Sequence, residues 1–219
     1  MRTVALLSAL ALPTAAQEFV EVSGPLPDDA FYRAVACAAP PGGPCAKPFL
    51  RWPADRRDPL RVGFATVDDA VSPERRALFD AALNAAIAEV DRAGGGGLRM
   101  VRDDDAPDVG VHILATPPYR MIEGTDVPAL DGARLEFGRV ALTARRDVVV
   151  DGVVALTMHL PADKIASVML EEVTQATGLL TDITGAAYAS SVFAETGNAA
   201  TALRGQDAMA VRRHYEETP

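Results

Sequence analysis

The chain reads as an α+β domain in which a mixed β-sheet is layered with helices, and three observations predict it. Segments near residues 60, 109, 138 and 148 are apolar or valine-rich and have the length and period of strands. Segments that follow Ser72 and Pro161 repeat apolar residues three and four apart, the period of a helix with one buried face. The resulting order β, α, β, β, β, α is that of an α+β or α/β sandwich. With 219 residues, 49% apolar and 23% charged, the composition is globular and excludes collagen, coiled-coil and fully disordered classes.

Taken in order, Arg2, the apolar run Thr3 to Leu12 and the small residues to Ala16 have the layout of a secretory signal peptide over residues 1–16. About ten apolar residues fall short of the roughly 20 needed to span a bilayer, so no stable membrane anchor is expected. Residues 17–58 are rich in Pro, Gly and Asp and form an N-terminal arm with one helical patch, Asp28 to Ala36, and Trp52 as its anchor. Cys37 and Cys45 are the only cysteines. An even count in an exported chain predicts a disulfide that closes a short loop in this arm.

The main domain, residues 59–219, opens with a strand in which Leu60, Val62 and Phe64 alternate with Arg61, Gly63 and Ala65. Ser72-Pro73-Glu74 supplies an N-cap, a first-turn proline and a first-turn acid, so a helix runs from there to about Ala93 and stops at Gly94 to Gly97. Those glycines follow a helix, whereas a phosphate cradle precedes one, which excludes that reading. Asp103-Asp104-Asp105 reads as a solvated turn. Strands are expected at Val109 to Ile113, Gly138 to Ala144 and Val148 to Leu156, with Asp151-Gly152 as a type I′ turn signal. A helix over 163–177 ends at Gly178, and a last helix begins near Gln206.

The formal charge of -9 and pI near 4.8 oppose nucleic-acid and anionic-membrane partners. Of 21 basic residues only Lys47 and Lys164 are lysine, a bias that reads as coding composition and carries no functional weight. The informative segment is the helix over 163–177. Glu172 lies seven residues after Ile165 and four after Val168, on the stripe that faces the core, with Glu171 and Gln175 beside it. A buried carboxylate without partners costs several kcal/mol, so its retention needs compensating bonds or a titration task.

Leu170-Glu171-Glu172-Val173-Thr174-Gln175-Ala176-Thr177-Gly178-Leu179 resembles the metal-binding helix of metzincin proteases, His-Glu-x-x-His-x-x-Gly-x-x-His, with the histidines absent. The resemblance puts Glu172 at the general base, Glu171 and Gln175 at the first two zinc ligands, Gly178 at the turning glycine and Thr181 at the third ligand. Ser191-Val192-Phe193 resembles the Met-turn, and Asp207 to Tyr215 the closing helix of matrixins. More closely, with Asp182 included, the pattern is similar to the bacterial domain of unknown function 2927, a degenerate zincin relative. This implies a zincin-like twisted mixed sheet packed with two main helices and a C-terminal helix.

Catalytic zinc takes three protein ligands and an open position, which Glu171, Gln175 and Thr181 do not supply well. His112, His159 and His214 lack the spacing of a helical ligand pair. No metal and no cofactor is therefore assigned. The expected function is an exported, non-catalytic pseudoprotease that binds a peptide or an envelope protein. The alternative is a metal-independent or hard-metal hydrolase in which Glu172 is the general base and Gln175 steadies the oxyanion, so Glu172, Glu171 and Gln175 are the candidate catalytic residues. A third reading makes these three side chains structural, bonded to the hairpin and to the Ser191 turn.

Overall fold

A computed structural model describes residues 19–197 and 199–216, so the expected signal peptide at 1–16 lies outside the described residues. The chain forms β1 (Phe19–Glu21), α1 (Asp28–Cys37), β2 (Leu60–Val67), α2 (Pro73–Gly94), β3 (Met100–Arg102) and β4 (Val109–Leu114). A small hairpin, β5 (Arg120–Met121) with β6 (Arg134–Leu135), precedes the long hairpin β7 (Gly138–Arg145) and β8 (Val148–Thr157). A 3-10 turn at Ala162–Lys164 leads into α3 (Ile165–Gln175), then β9 (Asp182–Thr184) and α4 (Gly205–Tyr215).

The central sheet has five strands in the order β3-β2-β4-β8-β7. All its pairings are parallel except β7 with β8, so β7 is an antiparallel edge strand. On one face Val62, Val111, Val154 and Leu156 share a core with Phe79 and Leu83 of α2 and Val168 and Met169 of α3. The opposite face is covered near β8 by the loop over 115–137, whose Ile122, Leu130 and Leu135 enclose Val153 and Ala155 in a second, smaller core. The alternation along β8 thus serves both faces, as expected of a strand buried on two sides.

Local chemistry explains the elements. Ser72 Oγ accepts from Arg75 N at 3.3 Å, Pro73 opens α2, and Gly95 in the left-handed region closes it. The long hairpin turns at Arg146 and Asp147, both with positive φ (52° and 66°). Asp151-Gly152 is therefore not the turn but the interior of β8. Gly152 packs closely there, since a Cβ would lie 3.1 Å from Trp52 and 3.2 Å from Val109. The helix expected over 163–177 is shorter, since its first turn is 3-10 and residues 176–178 leave the helix.

The arm packs into the body. Phe31 is fully buried against Tyr188 and Phe193, and α1 lies on α4. Cys37 and Cys45 form a disulfide with a Cα separation of 5.1 Å. Such a bond is compatible with an extracellular or periplasmic location. Trp52 Nε1 donates to Ala176 O at 2.8 Å and Tyr215 Oη to Thr177 O at 2.5 Å, which satisfies carbonyls left open at the end of α3. Among the described residues no helix is long and apolar enough to cross a membrane.

Candidate functional site

Helix α3 carries the candidate residues past the edge of the sheet. Its apolar stripe, Ile165, Val168, Met169 and Val173, is buried, and this orientation drives Glu172 inward with them; the residue is 6% exposed. Glu172 lies against Gly138 at the start of β7, where a Cβ would come within 2.2 Å of its Oε1. The glycine is what makes room for the carboxyl. Glu172 Oε2 has no hydrogen-bond partner among the described residues. Burial, then the charges of Glu171 and Asp182, hold the Glu172 carboxyl well above its ordinary range, with Arg139 the one opposing charge. These influences favour the neutral form of Glu172 over the charged one.

Glu171 and Gln175 flank it on the half-buried side of the helix. Gln175 Nε2 donates to Asp182 Oδ1 at 2.8 Å, fixing α3 to β9. Burial, followed by the charges of Glu171 and Glu195, pushes Asp182 up to about 8; the Gln175 bond and the Lys47 charge act the other way. Thr181 is buried, and its Oγ1 accepts from Lys47 Nζ at 3.4 Å. Lys47 is held in place by the disulfide loop, since the amides of Ala46 and Lys47 both donate to Cys37 O. An ammonium group on the arm therefore stands beside the carboxylate cluster.

The structure brings Glu171, Glu172, Gln175, Thr181 and Asp182 together, and adds Lys47, Gly138 and Arg139. Sequence reasoning missed these three because they lie far from α3 along the chain. Gly178 has φ +106° and a Cβ there would lie 2.1 Å from Leu50 O, so close packing on the arm demands glycine. Ser191 is engaged by α4 instead. Its Oγ donates to Asp207 Oδ1 at 2.7 Å, and Val192 N to Asp207 Oδ2 at 3.0 Å, so the turn is tied to α4.

The histidines are dispersed. His112 is buried in β4, and desolvation lowers its pKa. His159 follows β8, outside a strand, and pairs with Ala115 O at 3.1 Å. His214 Nε2 donates to Leu50 O at 2.7 Å, so Nδ1 accepts from Tyr32 Oη at 3.1 Å. Burial pushes His214 down to about 4, and it is neutral at pH 7. Among the described residues no group of three or more His, Cys, Asp or Glu side chains is disposed to hold a metal ion.

The Asp103-Asp104-Asp105 turn is structural: Asp104 Oδ1 accepts from Phe64 N, and Asp103 Oδ1 from the amides of Asp105 and Ala106. A shallow depression lined by Ile183, Thr184, Gly185, Ala186, Ala189 and Thr196 adjoins β9 and contains no ionisable side chain. Compared with known proteins, the chain matches no family model and no curated protein.

Proposed function

We propose that the chain is an exported, zincin-like domain that has become a binding module, a pseudoprotease that takes a peptide or an envelope protein along β7 and α3. One observation carries this reading: Glu172, at the position that resembles a general base, is buried against Gly138 with an unpartnered oxygen. Burial and the charges of Glu171 and Asp182 favour its neutral form, which cannot accept a proton from water. The neighbouring positions support the same reading, because Gln175 is engaged by Asp182 and Thr181 faces the Lys47 ammonium, whose charge opposes a cation there. The open edge of β7 offers backbone donors and acceptors to an extended chain.

A hydrolase with Glu172 as base draws on the same perturbed carboxyls, since raised acids accompany proton transfer in many active sites. It requires the Gln175 amide to leave Asp182 and face the reacting carbonyl. The test is a panel of labelled peptides offered to the purified, disulfide-bonded protein, scored both for binding and for cleavage. Binding without turnover, unchanged in Glu172→Gln, supports the module. Turnover abolished by Glu172→Gln establishes the hydrolase.

A further inference from the structure

Resting on the binding-module reading, we infer that the partner presents an acidic, extended segment bearing a large apolar side chain, which adds as a strand to the outer edge of β7. The chain as a whole is strongly acidic, yet residues 134–147 hold Arg134, Arg139, Arg145 and Arg146 against two acids, Glu136 and Asp147. Several arginines elsewhere are ion-paired: Arg56 and Arg61 with Asp108, Arg92 with Glu89, Arg102 with Asp80 and Asp104, Arg213 with Asp29. Arg139 and Arg145 lie on β7, Arg134 on β6 and Arg146 in the turn that follows β7; among the described residues none of the four forms an ion pair, and all four are exposed. Their unpaired charge complements a carboxylate-bearing segment.

A second observation lies at the start of the same strand. Tyr119 is 51% exposed and Phe137 37%, with ring centroids 5.8 Å apart, and the Arg134 guanidinium lies over Tyr119 at 5.5 Å. Tyr119 has φ +63°, a conformation that bulky residues rarely adopt and that costs on the order of 1–3 kcal/mol. Its amide donates to Leu135 O at 2.6 Å, and the loop beneath is fixed by the small core of Ile122, Leu130 and Leu135. The aromatic pair is held outward by a packed support. Phe137 leads directly into Gly138, so the apolar anchor and the open edge are continuous.

Charged residues on an edge strand also guard against aggregation. That role needs no preference for the sign of a ligand and no exposed aromatic pair, which separates it from recognition. From Arg139 to Arg145 the strand rises about 20 Å, so six to eight extended residues span it.

The probe is a fluorescein-labelled octapeptide alternating Glu and Val with a Phe at one end, compared with its Lys-for-Glu counterpart and read by fluorescence anisotropy at low and high salt. The acidic peptide is expected to bind about tenfold or more tightly than the basic one, and more weakly at high salt. The double charge reversal Arg139→Glu with Arg145→Glu inverts the preference, and Tyr119→Ala weakens the acidic peptide while leaving the circular dichroism spectrum unchanged. N-methylating alternate amides of the peptide abolishes binding in one of the two phases, as strand addition requires. Equal binding of both peptides overturns the acidic-partner inference and leaves the binding module standing. Absence of binding by either peptide overturns the inference, and the module itself is then judged by the broader peptide panel.

Discussion

Replacing Asp182 by Asn stabilises the fold, and does so increasingly as pH rises. Asp182 is pushed up to about 8 from its ordinary 3.8, by burial first and by Glu171 and Glu195 next. A raised acid leaves stability fully present below the unfolded value and removes it as pH climbs through the folded one. With those two values the loss is about 4 kcal/mol at pH 7 and about 2 kcal/mol at pH 5. The Asp182 side chain keeps some contact with water, which screens the effect, so about half is expected: about 1 kcal/mol at pH 5 and about 2 kcal/mol at pH 7.

Asn preserves the oxygen that accepts from Gln175 Nε2, and it cannot ionise. The assay is urea unfolding of both proteins, disulfide intact, at pH 5, 6 and 7. His214 acts on both alike, since a group pushed down to about 4 withdraws stability as pH falls below 6.5, and therefore cancels in the difference. A variant less stable than the parent at pH 7, or a difference that does not grow with pH, would refute the reasoning.

Further expectations concern the same framework. Gly138→Ala drives a methyl into the Glu172 carboxyl and should cost about 1–3 kcal/mol; the loss should shrink in the double variant with Glu172→Ala, and additive losses would show that the two residues do not meet. Asp108 is buried beneath the half-exposed Arg56 and Arg61, so Asp108→Ala should lower stability by about 1–2 kcal/mol, measured by thermal unfolding, and a neutral result would dismiss that ion cluster. Reduction of the Cys37–Cys45 bond should lower the unfolding free energy by about 2–3 kcal/mol at most, with two hydrogens gained by mass spectrometry, and a protein that gains none would have free thiols.

Long periodic segments made much of the fold legible. β2, α2, β4, both strands of the long hairpin, α3 and α4 were all marked by period and punctuation, and the inward turn of Glu172 followed from its place on an apolar stripe. Three-residue strands such as β1, β3 and β9 are too short to show a period, so the pairing of the arm with β9 was invisible. Asp151-Gly152 misled because its glycine serves packing against Trp52, while the positive φ values fell to Arg146 and Asp147. Lys47 beside Thr181 joins residues 134 positions apart, and no local pattern encodes that contact. Arg139 and Arg145 share β7, with Arg134 on β6 before it and Arg146 in the turn after it, a grouping that composition alone does not show.

The most direct test of the account is elemental mass spectrometry of the purified, disulfide-bonded protein after equilibration with zinc, calcium and magnesium and gel filtration, beside Glu171→Ala. The account predicts less than stoichiometric metal in both, as expected of a carboxyl cluster held by protons and the Lys47 ammonium. One metal ion per chain in the parent, lost in Glu171→Ala, would contradict it and make the α3 cluster a metal centre.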